Sequence, residues 1–174
     1  MDFFDVIATR RSIRKFSNRP VEKEKIDQIV DAALRAPSAR NSRSSELVIV
    51  TDPQMLSNLS ISKAAGAAFI KDAPLAIAVF ADPGKSGPCI ENAAITAVYI
   101  QLAARALGLA SCWSHMRGHA HNEKQSSNEY IASLLSTPGN LEAECIVAIG
   151  YPDEEKAPYR QDELPTDRVH RETY

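Results

Sequence analysis

A helix that is apolar nearly all the way round cannot sit exposed on a small domain, and residues 91–107 describe one. Gly108 stands where the residue after a helix end adopts a left-handed conformation, so it closes the stretch. Such a helix belongs in the middle of a fold or at a subunit interface. The wider apolar run, residues 93–110, is interrupted by Thr96, Gln101 and Arg105, which marks a buried helix and not a membrane span.

The rest of the chain supplies what covers that helix. Residues 2–9 read as a short helix with Asp2 as its cap. Residues 22–35 form the clearest amphipathic pattern, with Ile26, Ile29, Val30, Ala33 and Leu34 on one face, and Pro37 ends it. Residues 47–51 read as a strand ended by Asp52-Pro53, and residues 54–71 as one or two helices with an Ala-rich second part. Residues 75–80 and 145–150 are continuous apolar strands of the kind buried on both faces. A short strand over 110–113 and a helix over 128–135 complete the set, giving about four strands in an α+β or α/β class.

At 174 residues the chain makes one domain, residues 1–174, large enough to bury roughly 70 % of its unfolded surface without disulfides or metals. Residues 151–174 are polar and carry Pro152, Pro158 and Pro165, so they read as an extended C-terminal arm. Twenty basic against 22 acidic residues leave a net charge of −2, which gives no global attraction to nucleic acid or a membrane surface. Cys89, Cys112 and Cys145 are widely spaced, odd in number and without zinc-ligand spacing, so no disulfide framework or metal site is expected. The N-terminus carries acids where a secretory signal carries basic residues, and a cytoplasmic protein is expected.

Two local features carry chemistry. Arg10-Arg11-Ser12-Ile13-Arg14-Lys15-Phe16, counted on to Arg19, puts five basic residues in ten positions of a slightly acidic protein. Arginine forks and a hydroxyl suit a phosphate, but the same run also suits a solvated helix end, and composition does not choose between them. Ala36-Pro37-Ser38-Ala39-Arg40-Asn41-Ser42-Arg43-Ser44 is a polar turn whose hydroxyls and amide could equally bind a planar heterocycle.

Taken together, these segments resemble the opening of the nitroreductase family. The likeness continues through Lys71-Asp72-Ala73-Pro74 before a strand ending in Ala-Asp, then Ala106-Leu107-Gly108-Leu109-Ala110-Ser111-Cys112-Trp113, Ile149-Gly150-Tyr151-Pro152 and a late Arg160. It covers about residues 2–170. The resemblance implies an α+β three-layer sandwich, a mixed or antiparallel central sheet flanked by helices, in an intertwined homodimer with two sites at the subunit interface. It also implies bound FMN, reduced by NADH or NADPH, that passes electrons to a small-molecule acceptor such as a nitroaromatic or quinone in ping-pong fashion.

Carried over by position, the resemblance assigns Arg10, Arg11 and Ser12 to the ribityl phosphate and neighbouring flavin atoms, and Arg14 to the pyrimidine edge. A cation there offsets the negative charge of reduced flavin around N1 and O2. Pro37, Ser38, Ala39 and Asn41 reach the cofactor from the partner subunit. Backbone groups of Trp113 and Ser114 lie near the flavin N5, Arg160 closes on the phosphate, and Lys71 is either a further contact or an exposed helix-end lysine. No catalytic side chain is implied, because the flavin N5 carries the chemistry.

The chain departs from the family at two points. Arg43-Ser44-Ser45 stands where many members have Gln-Pro-Trp, and Arg40 where a small residue is frequent. The segment His115-Met116-Arg117-Gly118-His119-Ala120-His121 lacks a full metal-ligand set; it reads as a polar loop or as part of a substrate-pocket rim. Three functions follow for test: an NAD(P)H–FMN oxidoreductase, a related flavin enzyme performing dehalogenation or desaturation, and a non-enzymatic phosphate- or nucleic-acid-binding module. The last should show interleaved aromatics and a basic overall charge, and only Phe16 fits.

Overall fold

The computed structural model describes residues 2–174, so Met1 of the expected domain lies outside the described residues. Five α-helices and four strands run in the order α1 (Phe3–Thr9), α2 (Lys23–Leu34), β1 (Ser45–Val50), α3 (Pro53–Ser60), β2 (Leu75–Ala81), α4 (Cys89–Ala106), β3 (Ala110–His115), α5 (Ser127–Leu135) and β4 (Glu142–Gly150). The strands form one sheet in the order β1-β2-β4-β3, antiparallel at every pairing. The architecture is α+β, with helices on both faces.

Three layers follow from burial. On one face α2 and α4 pack Ile29, Ala33, Ala93, Ala97, Ile100 and Ala104 against Leu75, Ile77, Val79 and Val147. On the other, Leu56 and Leu59 of α3 and Ile131 of α5 cover Ala76, Ala78, Phe80 and Ile146. Both inner strands are thus buried on both sides, which is why they read as continuous apolar runs. Phe80 is fully buried, and truncation to Ala at such a site costs about 3–5 kcal/mol.

Local signals set the helix ends. Asp2 accepts the Asp5 N–H at 3.0 Å, Asp52 accepts the Met55 N–H at 2.7 Å beside Pro53 at the first turn, and Ser126 forms a capping box with Glu129. Gly108 has φ +77, as its position after α4 requires. Gly150 answers a different demand: a Cβ there would lie 2.6 Å from Pro74 Cδ and 3.1 Å from Phe16 Cδ1. The glycine lets the end of β4 close on both.

The Ala-rich part of residues 54–71 is not an α-helix. Helix α3 stops at Ser60, the chain turns through Gly66 at φ +81, and Ala68–Asp72 form a 3-10 turn. Tertiary bonds override alanine propensity here. Buried Ser62 donates its hydroxyl to Met116 Sδ at 3.3 Å and accepts the Ser127 hydroxyl on its carbonyl at 2.8 Å, and Lys63 Nζ reaches the His115 carbonyl at 2.7 Å. Strand β4 also begins before residue 145. Val79 pairs with Cys145 and Phe80 with Ala143, so Glu144 is the extra residue of a β-bulge.

The C-terminal segment first runs along the body and then leaves it. Pro152 bridges to Phe16, Asp153 N–H donates to the Lys15 carbonyl at 2.9 Å, and every residue from Ala157 onward is exposed.

Candidate active site

β3 is an edge strand, and the basic run lies beside that open edge. Ser12 pairs with Ser111 in a parallel bridge, and Ile13 N–H donates to the Ser111 carbonyl at 3.1 Å. Buried Ile13 and Phe16 anchor this segment, which leaves the charged residues between them to face outward. Sequence period sets the display: apolar side chains go to the core and arginines to the rim.

The chain after Tyr151 forms the second wall. Lys156 Nζ donates to the Ser12 carbonyl at 2.7 Å, Glu154 accepts the Arg14 N–H at 2.6 Å, and Arg11 donates to the Ala157 carbonyl. Between the walls lies a cleft of about 460 Å³, lined among others by Arg10, Arg11, Arg105, Ser111 and Lys156. The Arg11 guanidinium stacks 4.1 Å over the Tyr159 ring, and Arg14 lies 5.8 Å from the Phe69 ring.

The charges around β3 are mutually consistent. Burial pushes the Cys112 thiol up, while the positive charges of Arg14, Lys156 and Arg10 and a hydrogen bond from Ser12 pull the other way. Three cations therefore converge on the Cys112 side of the strand. The Arg14 backbone N–H, and then Lys156, hold the Glu154 carboxyl below its usual range, so it stays ionised and pairs with Lys156 at 3.4 Å.

The turn after α2 is a separate construction. Arg40, Asn41 and Arg43 have φ of 53, 54 and 48, a left-handed conformation costing roughly 1 kcal/mol or more at each non-glycine residue. Asn92 on the first turn of α4 compensates. Only 3 % exposed, it accepts the Ala39 N–H at 3.0 Å and donates to Ser44 Oγ at 2.8 Å and Ser42 Oγ at 3.2 Å. Ser38 Oγ accepts the Arg43 N–H at 3.0 Å.

Within one chain, the structure unites Arg10, Arg11, Ser12 and Arg14 with the strand carrying Trp113 and Ser114. It does not bring Pro37, Ser38, Ala39 and Asn41 to them. That turn leads into β1, the opposite edge of the sheet. Three strand spacings separate the two edges, about 14 Å. Lys71 lines another cleft with Asn18, Lys23 and Asp72. Arg160 is outside the basic cleft, forming a two-point pair with Asp162 at 2.9 and 2.7 Å. Lys156 is the cation of the C-terminal segment that lines the cleft. Sequence reasoning missed Lys156, Asn92 and buried Glu144. Asn92 was detectable as a polar residue inside an apolar helix pattern; Lys156 and Glu144 had no comparable signal.

Trp113 is half-buried, its ring parallel to that of His115 at 6.4 Å, and Ser114 Oγ donates to the Gly66 carbonyl at 3.0 Å. In the loop beyond, His121 stacks on Tyr130 at 3.9 Å with its Nδ1 2.9 Å from the Ile61 carbonyl, a structural clamp. Among the described residues no group of three or more His, Cys, Asp or Glu could hold a metal ion. No helix among them is long and apolar enough to cross a membrane.

The cleft at the open edge of the antiparallel sheet is thus walled by two segments far apart in sequence and lined by Arg10, Arg11, Arg105 and Lys156 with Glu154 and Glu155. Comparison with known proteins specifies the class. The nitroreductase family model matches residues 7–71 and 53–151, and the chain belongs to the nitroreductase family. It is 42 % identical to a solved FMN-dependent nitroreductase from Clostridium difficile R20291, with a TM-score of 0.96, covering 98 % of this chain and 99 % of that one. A Methanothermobacter thermautotrophicus protein with the provisional name NADH dehydrogenase/NAD(P)H nitroreductase is 34 % identical over 100 % of this chain and 88 % of its own. An Archaeoglobus fulgidus protein of the same provisional name is 34 % identical over 97 % of both chains. The chain is therefore a nitroreductase-family oxidoreductase.

Proposed function

We propose that this protein is an NADH- or NADPH-dependent FMN oxidoreductase that reduces nitroaromatic, quinone or other electron-poor small molecules in two-electron, ping-pong turnovers. The single observation that carries this reading is the Arg10–Arg11–Lys156 cleft beside β3. Its donor set fits a phosphorylated cofactor: two planar forks and an ammonium line one volume, with Ile13, Leu109 and Ala110 as its apolar lining.

When bound, FMN takes two electrons from the nicotinamide and hands them to the acceptor. Arg10, Arg11 and Lys156 would hold its phosphate, while Ser12, outside the cleft lining, bonds Cys112. Arg14, beside Phe69, offsets negative charge on the ring, which raises the reduction potential. Main-chain groups of Trp113 and Ser114 would lie near the flavin's reactive edge. Arg160 joins the phosphate site only by exchanging its bond to Asp162, so Lys156 carries the tail's contribution.

Each site takes its second half from a neighbouring copy. Ile95, Val98 and Tyr99 are 37, 46 and 36 % exposed and form one stripe on α4, and Phe3 and Phe4 of α1 are 61 and 74 % exposed. Burial of this apolar surface favours a homodimer, and two-fold symmetry would set Pro37, Ser38, Ala39 and Asn41 of one chain against the basic cleft of the other. The three cysteines are free and buried, which suits a reducing, cytoplasmic setting.

The test is optical. The purified protein, or protein given FMN, should be yellow and bleach on anaerobic addition of NADH or NADPH. A colourless protein that ignores FMN would overturn the reading.

A further inference from the structure

Glu144 is a buried carboxylate that the proposed function leaves unused. It is 4 % exposed in the central strand β4, flanked by apolar Ala143 and Cys145. A carboxylate in such a place is costly unless paired. It is the bulge residue of β4, and bulges re-aim side chains next to active sites. Here the carboxylate reaches the residues that continue β3. Oε2 accepts Arg117 Nε at 3.0 Å, and Oε1 lies 3.5 Å from His115 Nδ1.

His115 is thereby fixed on three sides. Its ring lies parallel to Trp113 at 6.4 Å, meets the edge of His119 at 5.7 Å, and presents Nδ1 to Glu144. Lys63 Nζ donates to its carbonyl at 2.7 Å. The charged and titratable groups around His115 are thus Glu144 and its cross-strand partner Cys145 from β4, Arg117 and His119 from the loop, and Lys63, at its carbonyl, from the turn after α3. Burial first, and then the charges of Lys63 and His115, pull the His119 imidazole down.

We infer that His115, oriented by Glu144, is the proton donor to the electron acceptor. The inference rests on the proposed function, because it places the acceptor at the end of β3 next to Trp113 and Ser114. A quinone that receives two electrons and one proton as hydride is left with a negative oxygen. The His115 imidazolium gives its Nε2 proton to that oxygen, the hydroquinone leaves, and the neutral imidazole recovers a proton from water. NADH or NADPH is the reductant and becomes NAD⁺ or NADP⁺; the sum is quinone plus NAD(P)H plus H⁺ to hydroquinone plus NAD(P)⁺. Glu144 is a positioning residue: it keeps a proton on Nδ1, so the mobile proton is on Nε2.

The experiment compares a quinone, which needs the proton, with ferricyanide, which takes electrons alone, on FMN-loaded protein. In His115→Asn the ratio of quinone to ferricyanide rates should fall about a hundredfold, as loss of a general acid does, and the imidazole limb of the pH profile for quinone should disappear. In Glu144→Gln the ratio should fall less. Independently of turnover, ¹⁵N spectra should show neutral His115 with its proton on Nδ1, shifting toward Nε2 in Glu144→Gln. An unchanged ratio with an unchanged pH profile in His115→Asn, or a wild-type ring protonated on Nε2, overturns the inference. Loss of both rates together in the wild type overturns the flavin reading instead.

Discussion

Asn92 Oδ1 accepts the Ala39 N–H at 3.0 Å, so the first turn of the most buried helix holds a turn that runs left-handed at three non-glycine residues. The relationship ties rigidity to function. On the proposed shared site, a loop that presents Ser38 and Asn41 to a second chain needs a fixed shape before that chain arrives. Asn92→Ala should remove the Ala39, Ser42 and Ser44 bonds together and cost about 1–3 kcal/mol. Urea unfolding should show that loss, and FMN retention should fall with it.

Lys156 lines the basic cleft, whereas Arg160 is paired with Asp162 outside it. Lys156→Ala should weaken FMN binding about tenfold, the worth of a charge-assisted hydrogen bond, while Arg160→Ala should change it less than twofold. Fluorescence titration of released flavin measures both. Equal losses would place Arg160 on the phosphate.

Gly150→Ala should destabilise the protein by about 1–3 kcal/mol, because the added Cβ meets Pro74 Cδ at 2.6 Å and neither partner is a flexible chain end. Thermal unfolding would register this as a drop of several degrees. The glycine of Ile149-Gly150-Tyr151-Pro152 is in this account a packing requirement.

The Tyr151 hydroxyl bonds Glu22 at 2.7 Å and, as the largest cause, brings the Glu22 carboxyl down to about 2 from 4.5. A depressed carboxyl stabilises above its unfolded pKa and loses that contribution as pH falls through the folded one. Tyr151→Phe should therefore lower Tm at neutral pH, with the difference from wild type shrinking below about pH 4.5 and gone near pH 2. A difference constant across that window would assign the loss to packing.

Much of this fold was legible because period and punctuation agreed. Ile26, Ile29 and Ala33 mark one face of α2, and the runs of β2 and β4 can be nothing but buried strands. The misreading of residues 61–67 came from a contest that local sequence does not display: Ser62 and Lys63 bond to Ser127, Met116 and His115, all more than fifty residues away. Arg10, Arg11 and Ser12 stood out as a candidate anion site only once linked to the later motifs. Lys156 did not, because its approach to Ser12 depends on where the chain runs after Pro152. Glu144 was obscured in another way, since strand alternation says nothing about a bulge.

The central claim is that the two halves of the site, at opposite edges of one sheet, meet across a homodimer. Coexpression of a chain carrying Arg11→Ala with one carrying Asn41→Ala tests it most directly. Each homodimer should be poor in FMN, having both sites damaged. In the heterodimer, two-fold symmetry puts both lesions into one site and leaves the other intact, so the purified mixed species should recover about half the wild-type flavin per dimer. A mixed species with no recovered flavin, or a stable flavin-loaded monomer in sedimentation, would contradict the shared site.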